Sequence, residues 1–92
     1  MTYIDEAREL LEKELPGQDD ALLDLYLLLV LSQGAFVTLE DVHDAWAIWR
    51  SRTRPDHKSI IPFNDLTEEI QELDRKYMDA IVRVSDQLKK ER

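Results

Sequence analysis

Cysteine is absent from this 92-residue chain, which excludes disulfides, thiolate metal ligands and a cysteine nucleophile. Small secreted domains usually depend on such staples, so their absence points to a reducing, cytoplasmic setting. Glycine is scarce as well. Gly17 and Gly34 are the only two, and neither sits in a phosphate-cradling loop. No long hydrophobic run occurs: the longest, Leu22 to Leu31, is interrupted by Asp24 and is about half the ~20 residues a membrane span needs. The opening Met1-Thr2-Tyr3-Ile4-Asp5-Glu6 lacks the basic and apolar regions of a signal peptide. Neither membrane insertion nor export is therefore expected.

Basic charge is the other shortage. Residues 1–49 hold 2 basic against 11 acidic groups, and the whole chain carries a net charge of −8. Such an acidic surface is unsuited to a nucleic-acid polymer, which requires broad neutralisation of phosphates. One segment departs from the trend: Arg50, Arg52, Arg54 and Lys58 stand against Asp56 alone.

What the chain does have is helical periodicity. Its length suits one domain spanning residues 1–92, with an adequate but thin core. Thr2 caps a first helix, Tyr3 to about Leu15, on which Ile4, Ala7, Leu11 and Leu15 form one apolar stripe. Pro16-Gly17 ends it. Asp19 or Asp20 caps a second helix running to about Gln33, closed by Gly34. Leucine and valine surround that second helix, so it must be buried on all sides. It is either the central helix of the domain or the seam of a homodimer.

Thr38-Leu39-Glu40-Asp41 resembles a capping box and opens a third helix, with Leu39, Val42, Trp46 and Trp49 on one face. The residue before Pro55 is pushed out of helical geometry, so that helix ends near there. An ordered, proline-containing loop follows from Pro55 to Leu66 and lies across the helices. Asp65 is the expected cap of a last helix, about Thr67 to Lys89, on which Leu66, Ile70, Leu73, Tyr77, Ile81, Val84 and Leu88 mark either a core-facing stripe, the reading favoured, or a coiled-coil-like seam. The fold class is all-α, a small bundle of about four helices with an ordered loop between the third and the fourth.

Chemistry is hard to find. His43 lacks a histidine one turn away, which leaves only an incomplete Glu40–His43 metal pair. Ser32, Ser51, Ser59 and Ser85 show no nucleophile elbow and no neighbouring base. Asp24 in the leucine-rich helix is either a buried functional acid or, as the more ordinary reading, a residue that lies at a helix edge or pairs with a nearby base. No catalytic residue, metal site or cofactor is assigned. The tryptophans and the basic segment carry more: Trp46, Trp49, Arg50, Arg52, Arg54, His57 and Lys58 combine guanidinium forks with indole faces, as an anionic ligand site requires. The plainer alternative is that these arginines bridge to acids elsewhere in the fold.

His43-x-x-Trp46, then His57-x-x-Ile60-Ile61-Pro62-Phe63-x-x-Leu66, then Asp74-Arg75 and Ala80-Ile81, resembles the ryanodine-receptor repeat (RyR) over roughly residues 38–84. The same run is similar to short proteins of actinobacteria and their phages. An arginine-rich link replaces the family's Gly-aromatic-x-aromatic-Gly stretch. The resemblance implies a helical interaction module without catalysis, in which His43 holds the loop and Phe63 and Leu66 anchor it. It also implies a role in sensing nucleotide-type ligands.

Two functions follow as expectations. The first is a non-enzymatic protein–protein interaction module, phage-encoded and acting on a host protein with a basic surface. Its contact residues would be Leu27, Leu28, Ile48 and Trp49, with a homodimer as a further partner. The alternative is a sensor or sponge for an anionic nucleotide-type ligand bound through the Arg50–Lys58 segment.

Overall fold

In a computed structural model describing residues 1–91, four of the five helices begin at a side chain that caps them. Helix α1 spans Tyr3–Glu14 behind a reciprocal box, with the Thr2 hydroxyl accepting from Asp5 N–H at 3.2 Å and the Asp5 carboxylate accepting from Thr2 N–H at 3.0 Å. Helix α2, Asp20–Ser32, starts where Asp19 accepts from the N–H groups of Ala21 and Leu22. Helix α3, Leu39–Ser51, opens on the same box as α1, built from Thr38 and Asp41. A 3₁₀ turn, Gly34–Phe36, joins α2 to α3.

The expected last helix is two. Helix α4 is a short segment, Glu68–Glu72, and α5 spans Arg75–Lys90. The cap of α4 is Thr67, accepting from Ile70 N–H at 3.4 Å, whereas Asp65 belongs to a 3₁₀ turn at Phe63–Asp65. Between the helices the hydrogen bonds tighten to i→i+3: Leu73 N–H reaches Ile70 O, and Tyr77 N–H reaches Asp74 O. That tightening shifts the phase of the apolar stripe. Ile81, Val84 and Leu88 remain in the core, but Leu73 is 65% exposed. Among the described residues there is no strand, so the chain is an all-α small bundle of four principal helices, with α4 leading into the last.

Helix α2 is the central one. It packs against α1, α3, α5 and the first 3₁₀ turn, and buries Leu22, Leu23, Tyr26, Leu27 and Val30. Coverage is incomplete, since Leu28 is 59% exposed. Ala7 and Leu11 of α1, Val42 and Ala45 of α3 and Ile81 and Val84 of α5 complete one continuous core. Fully burying an aliphatic side chain contributes about 1.5–3 kcal/mol, so this cluster is the main stabilising term. Two ion pairs tie α1 to its neighbours at the surface, Arg8–Asp24 and Arg83–Glu14. Asp24 thus lies on an exposed helix edge with a base, the more ordinary of the two readings of its sequence. No helix among the described residues is long and apolar enough to cross a membrane.

The segment between α3 and α4 is a chain of turns rather than one extended strap, with Arg54, His57 and Ile60 N–H groups each bonded a few residues back. It is tied to the bundle at both ends of its apolar run. His43 Nε2 donates to the Ile61 carbonyl at 2.8 Å, and the Gln71 side chain donates to the carbonyls of Phe63 and Leu66. Leu66 is buried beneath it.

Both glycines occupy the left-handed region, but their surroundings differ. Gly17 has φ +80° with open space around an added Cβ, whereas Gly34 has φ +57° and an added Cβ would meet Ser85 Oγ at 2.8 Å. An L-residue in this region costs about 1–2 kcal/mol. Gly17→Ala should therefore lose that amount in urea denaturation, and Gly34→Ala should lose more. Adding Ser85→Ala to Gly34→Ala should return the excess. Equal losses at the two glycines would show that Ser85 is not the limiting contact.

A candidate ligand-binding cleft

Both tryptophans, both histidines and two of the three tyrosines line a single cleft of about 640 Å³. This volume falls within the usual range for small-molecule sites. Helix α2 supplies the floor through Leu22 and Tyr26. Helix α3 supplies one wall through His43, Trp46, Trp49 and Arg50. The α4–α5 junction supplies the other through Ile70, Asp74, Lys76 and Tyr77, and the loop after α3 contributes His57 and Ser59 at the rim.

The aromatic surfaces hold one another in place. Tyr26 and Tyr77 are stacked with centroids 5.5 Å apart, joining floor to wall. Trp46 lies between the two histidines, stacked near His43 at 5.9 Å and edge-on to His57 at 5.2 Å. Trp49 is fixed by its indole N–H, which donates to Asp19 Oδ1 at 3.0 Å. One carboxylate thus caps α2 and sets the orientation of an indole on α3. Because a carbonyl only accepts, the bond from His43 to Ile61 requires the proton on Nε2. In His57 the Nδ1 accepts from Ser59 N–H at 3.1 Å, which likewise leaves the ring proton on Nε2.

Two polar side chains of the cleft are less well satisfied than these. Arg50 spreads its guanidinium over the Trp49 ring, 4.5 Å from the centroid, and its Nε is buried without a hydrogen-bond partner. Leaving a buried donor unpaired costs about 1–3 kcal/mol. Asp74 is half-buried in the opposite wall. Its carboxyl makes no hydrogen bond or ion pair among the described residues. Burial raises the Asp74 carboxyl above the ordinary aspartate value, with His43 pulling weakly the other way. Burial, and then the charge of Asp74, push the Tyr26 phenol far above its usual value, so it stays neutral.

The residues expected at a ligand site divide cleanly. Trp46, Trp49, Arg50 and His57 line the cleft, while Arg52, Arg54 and Lys58 are exposed and lie outside it. Successive turns after α3 carry those three side chains away from the cleft. None of the four basic residues of the segment forms an ion pair among the described residues; the pairs present belong to Arg8, Arg75 and Arg83. Of the residues expected at a partner surface, Leu28 and Ile48 are more than half exposed. Leu27 is only 4% exposed, since it points into the core, and Trp49 is half-buried in the cleft wall. Tyr26, Asp74 and Tyr77 were not anticipated as site residues. A tyrosine within a leucine run, and an aspartate breaking a periodic helix, were the available signals. Among the described residues no group of three or more His, Asp or Glu side chains can hold a metal ion.

Asp74 gives a pH-dependent prediction. A carboxyl with a raised folded-state pKa binds its proton more tightly in the folded protein, so stability falls as pH rises from about 4 through the raised value. Asp74→Asn removes this loss. The variant should melt above the parent at pH 7, and the gap should close as the pH approaches 3. Other carboxylates titrate alike in both proteins and cancel in the difference. A gap that stays constant with pH would assign the effect to something other than the Asp74 charge.

No curated protein matches the chain, and no solved structure does. A family model does match, over residues 2–86, which takes in α1 to α4 and most of α5, so every residue that lines the cleft lies inside it. The chain belongs to that family, the domain of unknown function DUF7701.

Proposed function

We propose that the protein is a non-catalytic binding module whose cleft takes up a small ligand with a planar ring and a hydrogen-bond acceptor. The observation that carries this reading is a concave cleft lined by both tryptophans, both histidines, Tyr26 and Tyr77, with the cation of Arg50 among its lining residues. The guanidinium lies over the Trp49 ring, which restricts its freedom and lowers the entropy lost on binding. Rings entering the cleft meet indole, phenol and imidazole faces, which favour stacking at offset geometry. An anionic nucleotide is one ligand of this kind. Arg52, Arg54 and Lys58 would then act only at long range, by steering an anion towards the cleft.

Capture of a protein partner is the second reading. Leu28 and Ile48 are exposed, and the acidic first half of the chain favours a basic surface. It has lost Leu27 to the core, and exposed apolar side chains standing singly are ordinary on folded proteins.

Thermal unfolding with a panel of nucleotides and inorganic pyrophosphate tests the first reading. A ligand present at one hundred times its Kd adds about 2.7 kcal/mol of stability, which raises Tm by several degrees in a domain of this size. Arg50→Gln should remove about 1.5–3 kcal/mol of the binding energy, the usual worth of a hydrogen bond to a charged group. Arg52→Ala and Arg54→Ala should leave the shift in place at moderate salt. Loss of the shift in those two variants with retention in Arg50→Gln would move the site out of the cleft.

A further inference from the structure

Phe36 is 83% exposed, more than any other large apolar side chain except the N-terminal Met1. A lone exposed leucine is ordinary on a folded protein, but a phenyl ring left almost wholly in water is a large unburied surface. Its position is fixed. The 3₁₀ turn that carries it is closed by Phe36 N–H donating to Gln33 O at 3.0 Å, and the next residue, Val37, is buried in the core. Helix α3 follows directly, and its charge is divided between its ends. Glu40 and Asp44 stand exposed near the start, and no lysine or arginine lies between Phe36 and Trp49. Arg50 lies in the last turn, and exposed Arg52, Arg54 and Lys58 come after it. None of these six charges forms an ion pair among the described residues. The cleft belongs to the basic end: two of its three charged lining residues, Arg50 and Lys76, are cations, and the exposed Leu73 lines its α4 side.

From this polarity we infer that the cleft receives a second copy of this chain, which inserts Phe36 among the aromatic walls and sets Glu40 and Asp44 against the basic rim. The inference takes the cleft as a binding site but does not require the small ligand. Within one molecule the two ends of α3 cannot meet, because its 13 residues span about 20 Å. Between two molecules they can. Pairing of Phe36 with its own counterpart across a two-fold axis would instead bring Glu40 and Asp44 against themselves, in partners that each carry −8. The contact is therefore head-to-tail, and it leaves one free Phe36 and one free cleft at the ends of any row of copies. Leu73 and Ile70 supply apolar surface at the cleft edge that a phenyl ring covers.

Sedimentation equilibrium over a range of protein concentrations tests this, with Phe36→Ala and Leu73→Glu as the variants. Both replaced side chains are mostly exposed, so both variants keep the core. The average mass of the parent should rise with concentration above the 10.8 kDa of one chain, and fall back as salt is raised. Phe36→Ala should weaken association about ten- to hundredfold, the worth of burying one phenyl ring. Leu73→Glu, which places an acid where acids must dock, should weaken it as well. Mixed in equal amounts, the two variants should form a dimer of one each and stop there, because one intact Phe36 and one intact cleft remain between them. A parent that stays monomeric at every concentration overturns the inference, and a Tm still raised by nucleotides would then leave the cleft to a small ligand. Association lost in Phe36→Ala but unchanged in Leu73→Glu also overturns it, in favour of a two-fold contact. The expected mixing pattern without a Tm shift from any nucleotide keeps the second copy and removes the small ligand.

Discussion

A helix with leucine on nearly every side must be covered, and in 92 residues there is little chain to cover it with. That constraint arranges the rest of the fold. Helix α1 covers one side of α2 through Ala7 and Leu11, and α5 covers another through Ile81 and Val84. Helix α3 takes the remaining side through Val42 and Ala45, and next to them it carries the larger, half-buried Trp46, Trp49 and Arg50. The space left between these large side chains and the α4–α5 junction is the cleft. Its floor is the part of α2 that lies nearest Tyr26, which is itself only 1% exposed.

The break between α4 and α5 has a comparable consequence. Continuous helix through residue 74 would have kept Leu73 on the core stripe and carried Asp74 round with the helical turn. The i→i+3 bonds at Leu73 and Tyr77 instead turn Leu73 to solvent and leave the Asp74 carboxyl half-buried in the cleft wall. Asp19 plays a similar double part at the other wall. Its carboxylate stops α2 from fraying and holds the Trp49 indole, so the orientation of a cleft aromatic depends on a helix cap thirty residues earlier.

Most of the fold was legible because its signals are local. Thr2, Asp19 and Thr38 mark helix starts through bonds to residues two or three positions on, so the sequence around each shows it. The α4–α5 break was hidden by periodicity: Ile70, Leu73, Tyr77 and Ile81 keep heptad spacing straight through it. Half of the site was legible for a similar reason, since Trp46, Trp49 and Arg50 share one helix. Asp74, Tyr77 and Tyr26 join them only through packing of three separate elements. Arg52, Arg54 and Lys58 show the converse error, in which proximity along the chain suggests a cluster that turns of the backbone then disperse.

The polar groups of the cleft run against the stability of the fold. An unpartnered buried guanidinium nitrogen and a half-buried carboxylate each subtract from a total that, for domains of this kind, is about 5–15 kcal/mol. A leucine or methionine at either position would cover the floor of the cleft and remove that cost. The rest of the chain follows the ordinary rules: capped helices, one apolar core, charges on the outside. Departures from those rules gathered in one concave, aromatic-lined place are the ground for proposing a binding site there. Arg50 and Asp74 are therefore better understood through what enters the cleft than through what holds the helices together.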